Sequence, residues 1–189
     1  MMRRAPPTSR RQQGVSLITT LLFMIAAMVL GVSAIGINAM QERMVGNSKD
    51  RDLAFQAAEA ALRDAETDVS LNIDQSAGFS DSCNAGLCTV PSQRPTPSSL
   101  PAEQQPGFSW DPSGGKVRLY GAATLSTPFP GVLSQPVYII ENLGRLPPAP
   151  GDSAADDDLH PRFTYRITVR ATGARAETVV LLQSIFFRR

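Results

Sequence analysis

The chain has 189 residues and a formal net charge of +1, which allows one domain plus a membrane segment but not two full domains. Residues 1–14 hold Arg3, Arg4, Arg10 and Arg11 and no acid, so the rest carries −3 and offers no basic stripe of the kind nucleic-acid binding needs. A single histidine, His160, and two cysteines, Cys83 and Cys88, exclude a histidine-rich metal site or a multi-histidine catalytic centre.

The first element follows the arginines in RRQQGVSLITTLLFMIAAMVLG (10–31). No charge occurs from Val15 to Asn38. Val15–Ile37 would be roughly 34 Å long as a helix, enough to cross a hydrocarbon layer of about 30 Å. Arginines on its N-terminal side place that end in the cytoplasm. A cleaved secretory signal has an apolar core of about 7–15 residues with small residues at the cut. This span is longer, and its glycine, Gly14, precedes the apolar run. The span runs on into QERMVGNSKDRDLAFQAAEAALRDAETDV, where Phe55, Ala58, Leu62, Ala65 and Val69 form one helical stripe. Glu59 and Arg63 are placed as an i,i+4 pair on the wet side. A helix continuous from 15 to about 69 would be on the order of 80 Å long, with Gly46–Asn47–Ser48 its weak point.

Thirteen of the fifteen prolines follow residue 90, which predicts long surface loops. Cys83 and Cys88 lie five residues apart on the non-cytoplasmic side, in an oxidising compartment, so a disulfide is expected. They lack the C-x-x-C spacing of redox catalysis, and ligands for zinc are scarce. Trp110, in GFSWDPSGG, is expected as a partly buried anchor rather than an exposed contact.

Strand candidates follow. KVRLYGA (116–122) and QPVYIIENLG (135–144) are rich in β-formers. The acidic loop GDSAADDDLHP (151–161) places Asp152, Asp156, Asp157 and Asp158 beside His160, without the alternating ligands of an EF-hand, so it is read as solvated loop rather than a calcium site. Phe163, Tyr165, Ile167 and Val169 then alternate with Thr164, Arg166, Thr168 and Arg170, a strand with one buried face. ATGARAE is the turn, with Gly173 available for positive φ, and TVVLLQSIFF returns. No nucleophile-elbow, phosphate-loop or paired-histidine motif occurs, so no enzyme activity, cofactor or metal is expected.

The arginine-bearing leader, Gly14, the charge-free helix and QERMVGNSKDRDLAFQAAEAALRDAE together resemble the minor pilins of the type IV pilus of the PilX type. That match covers about residues 10–68, and FTYRITVRATGARAETVVLLQSIFF resembles the family's closing strands. The resemblance implies an α+β, type IV pilin-like fold, with the long N-terminal helix packed on an antiparallel sheet of about four strands. The chain is expected to divide into a leader (1–14), a transmembrane and assembly half-helix (15–37), an amphipathic half-helix (38–69), a variable loop region with the disulfide (70–115), where no family motif is found, and a sheet region (116–189).

The resemblance further implies that prepilin peptidase cuts after Gly14 and that the new terminus, Val15, is methylated. Major pilins usually carry glutamate five residues after the cut, and here that position is Thr19. A hydroxyl can bond back to a carbonyl of the preceding turn and needs no ionic partner, whereas a carboxylate in hydrocarbon is kept only for a purpose. The implied subunit sits in the inner membrane with a periplasmic C-terminal domain and later in the pilus at the cell surface, at its tip. The implied partners are other minor pilins, the major pilin, a larger tip adhesin, prepilin peptidase, the inner-membrane assembly platform and, before assembly, membrane lipid. Two alternatives share this architecture: a minor pseudopilin of type II secretion, and an adhesion module using loops 70–115 and 143–162.

Overall fold

The computed structural model describes residues 14–74, 77–90, 100–146 and 162–188. Among the described residues one α-helix, α1 (Val15–Leu71), precedes five strands: β1 (Leu87–Thr89), β2 (Arg118–Leu119), β3 (Val137–Arg145), β4 (Phe163–Thr172) and β5 (Val179–Arg188). The chain divides into two compact units that meet between Asn47 and Ser48, and the backbone of Gly46–Asn47–Ser48 remains helical.

In the first unit Val15–Ser33 has a mean hydropathy of 2.5 and is long and apolar enough to span a membrane. None of it is buried within the chain, and Leu17, Phe23, Met28 and Val32 all face outward.

In the second unit α1 buries Ala54, Ala57, Ala58, Ala61, Ala65 and Val69. The expected stripe is therefore corrected at one end: Phe55 is 44% exposed, because the covered face is phased on Ala54 and Ala58. Alanines let the sheet approach closely, so the large partners come from the strands, namely Tyr138, Ile140, Tyr165, Ile167 and Val169.

The sheet order is β1-β3-β4-β5, with β2 also paired to β3. The β3–β4 and β4–β5 pairs are antiparallel, but β1 runs parallel to β3, Leu87 opposite Ile140. The antiparallel sheet of about four strands thus becomes a mostly antiparallel sheet of five. Two strand expectations change with it. KVRLYGA contributes only Arg118 and Leu119, because the chain turns at Tyr120–Thr124. Gly173 does not adopt positive φ. It is needed for space instead, since a Cβ there would lie 2.5 Å from Asp50 Oδ1.

The far side of the sheet carries a second apolar cluster. Val137 and Ile139 pack with Cys83, Cys88, Ala102 and Val117, with Phe108 and Trp110 against them.

Candidate functional site

The helix start comes first. α1 begins at Val15, the residue after Gly14. The Thr19 hydroxyl lies 3.1 Å from the Val15 carbonyl and 2.9 Å from that of Ser16, so it is satisfied within its own helix. Thr20 does the same with Ser16 and Leu17, at 3.0 Å each.

Three aspartates of α1 fasten the second unit. All lie on or beside the alanine face, and sequence reasoning passed over them because acids are normally assigned to the wet side. Asp50 Oδ1 accepts from the Ala174 amide at 2.6 Å in the β4–β5 turn. Its carboxyl is held below the ordinary value, chiefly by the Thr178 hydroxyl, with the Ala174 amide and the Arg175 charge adding to this against the cost of burial. Asp64 accepts from the Gly121 amide at 2.9 Å, from Ser126 Oγ at 2.7 Å and from Thr124 Oγ1, which organises the turn after β2. Asp68, fully buried, pairs with Arg118 and accepts from Tyr138 Oη at 3.1 Å and Asn72 Nδ2 at 3.0 Å. Burial and the neighbouring Asp68 and Asp64 push the Tyr138 phenol well above its ordinary value.

Arg118 carries the connection outward. Its Nε donates to the Ala85 carbonyl at 2.7 Å, inside the loop that Cys83 and Cys88 close as a disulfide. That loop is tight: Cys83, Ala85 and Gly86 have φ of 58°, 49° and 75°. A Cβ on Gly86 would lie 2.8 Å from Arg118 Cγ and from its backbone nitrogen.

A fourth buried carboxylate, Glu141 of β3, accepts from the Ala102 amide at 3.0 Å and from Arg166 Nε at 2.6 Å. This ties the 100–117 segment to the outer face of the sheet. Beside it, burial raises the Glu103 carboxyl, and the Glu141 charge adds to that. The same segment forms one wall of a cleft of about 460 Å³ lined by Trp110, Asp111, Leu119, Val137, Arg170 and Thr172. Trp110 is partly buried and packs edge-on against Phe108 at 5.2 Å.

Arg3, Arg4, Arg10 and Arg11 of the leader, and Asp152, Asp156, Asp157, Asp158 and His160 of the acidic loop, lie outside the described residues. Among the described residues no group of three or more His, Cys, Asp or Glu side chains could hold a metal ion. The carboxylates instead bind the protein's own amides, hydroxyls and arginines, so the arrangement is structural.

A helix that is apolar over its first half and alanine-faced over its second, followed by a mostly antiparallel sheet, is the α+β arrangement of a pilin. The family model described as "Type IV pilus assembly protein PilX C-term" matches residues 84–188, and the PilX N-terminal model matches residues 13–63. The chain belongs to the PilX family and is a minor pilin of the type IV pilus. No curated protein and no solved structure matches it.

Proposed function

We propose that this minor pilin is made with a leader ending at Gly14, cut there by prepilin peptidase on the cytoplasmic side and methylated on Val15. It then stands in the inner membrane with its C-terminal unit in the periplasm. From there it co-assembles with other minor pilins to prime pilus growth, at or near the tip, in contact with the major pilin, the assembly platform and a larger tip adhesin.

The observation that carries the reading is the junction at Gly14. The helix begins with Val15, and the apolar span that must survive processing lies wholly beyond it. Thr19 supports placement at the tip, because its hydroxyl is satisfied by its own turn and asks nothing of a neighbouring subunit's amine. The match to pilus assembly families favours the pilus over a secretion pseudopilus. Mass spectrometry of the mature N-terminus tests the proposal: a methylated Val15 is expected, and an intact leader would overturn it.

A further inference from the structure

β5 is the last strand of the sheet. β4 takes one of its edges, and among the described residues no strand takes the other. The alternate N–H and C=O groups that point away from β4 are therefore left along ten residues. Proteins usually blunt such an edge with lysine, proline or a bulge. β5 contains no lysine or proline, and its register with β4 is unbroken from Val179–Thr172 to Arg188–Phe163. Its outward row is apolar: Val179, Leu181, Ile185 and Phe187 are 40, 55, 47 and 58% exposed. Only Gln183 interrupts the row, and its amide reaches back to Thr168 Oγ1 at 3.1 Å.

Charge says what kind of strand fits. Residues 162–188 contain Arg162, Arg166, Arg170, Arg175 and Arg188 against the single acid Glu177, a net charge of +4. Arg166 is neutralised by Glu141, and Arg175 lies within the field of Asp50. Arg188 falls in the opposite row of β5, with Leu182 and Phe186, so Arg170, directly across from Leu181 and in no ion pair among the described residues, is the cation beside the outward row. A second copy of this chain would set one such hairpin against another of the same sign. An acidic segment meets the edge with attraction instead. An exposed strand edge is completed by an extended peptide, with main-chain bonds supplying affinity and alternate side chains supplying selectivity.

We propose that the free edge of β5 takes an extended, acidic segment of a different pilus subunit as a sixth strand, whose apolar side chains alternate onto the outer face beside Leu181 and Ile185. This rests on the reading of the chain as a pilus subunit. The test places a benzophenone amino acid at Leu181 or Ile185 of the full-length chain in cells that make pili, and maps the cross-linked peptide by mass spectrometry.

The expected product joins β5 to an Asp- or Glu-bearing extended segment of another pilus subunit, and its yield falls at least fivefold in Arg170→Glu. Arg170→Gln, the milder change, should show a smaller loss in the same direction. A cross-link to a second copy of this chain, or to lipid alone, overturns the proposal. So does a yield that neither Arg170 variant changes. Recovery of the chain with sheared pili is scored separately. Recovery without a cross-link overturns strand addition alone, and a mapped cross-link without recovery overturns only the reading of incorporation into pili.

Discussion

Gly173 in the β4–β5 turn sits directly against Asp50 of α1, with no room between them for a side-chain carbon. The amide of the next residue, Ala174, donates to the same carboxylate oxygen at 2.6 Å. Close approach and hydrogen bond are one device, since the turn can reach the carboxylate only where a residue lacks Cβ. Gly173→Ala should therefore destabilise the second unit by about 1–3 kcal/mol through overpacking. Thermal unfolding of the full chain in detergent measures this, and an unchanged midpoint would show that the helix and turn separate freely.

Asp64 serves three donors of the 121–126 turn, and Asp64→Ala would deprive these half-buried groups of the carboxylate they share. The expected cost is about 2–4 kcal/mol. The helix should keep its far-ultraviolet signal while the turn becomes accessible to protease. Resistance equal to that of the parent would refute the assignment.

Asp68 and Arg118 are coupled. Asp68→Ala alone leaves the guanidinium without its carboxylate and should cost about 3–5 kcal/mol, whereas exchanging both for apolar residues of similar size should recover most of the loss. A double-mutant cycle followed by denaturant unfolding reads the coupling. Strict additivity of the two single changes would contradict the pair.

Two carboxyls predict opposite dependence on pH. Asp50 is held below its unfolded value of 3.8, so its contribution is present above that pH and lost as pH falls through the folded value. Glu103 is raised above its unfolded value of 4.5, so its contribution is complete below 4.5 and lost as pH rises through the folded value. The low-pH fall in melting temperature should therefore be shallower in Asp50→Asn than in the parent. Glu103→Gln should gain on the parent as pH rises toward neutrality. The opposite trend in either variant would reject that residue's environment.

The Cys83–Cys88 bridge closes a short loop, for which chain entropy gives about 2 kcal/mol. Cys83→Ser with Cys88→Ser should lower the unfolding midpoint accordingly and loosen Arg118 from Ala85, while the α1 signal persists. Free thiols found in the protein purified from membranes without reductant would argue against the bridge.

Thr19→Glu tests the placement in the filament. Introducing the shaft-type carboxylate should alter the ratio of this subunit in membranes to that in sheared pili. An unchanged ratio would count against a tip position determined by Thr19.

Much was legible without coordinates where the signal is local. The charge-free run from Val15, the alanine-rich helix and the alternation in Phe163–Arg170 each depend on neighbours within a turn or two of the chain, so composition and period suffice. Phe55 departs from the stripe for the same reason: its spacing aligns it with Ala58 and Leu62, but which face a helix buries is decided by what packs on it. The parallel strand Leu87–Thr89 is too short to carry a period and exists because β3 offers it an edge.

The sequence by itself determined the elements at both ends of the chain and the membrane-length helix, through hydropathy and period. Only the tertiary structure decided the role of the acids. Asp50 meets Ala174 across 124 positions, Asp64 meets Gly121 across 57, and Asp68 meets Arg118 across 50. A carboxylate on a helix reads as solvated until a distant donor is brought to it, and those donors arrive only when the sheet closes on the alanine face.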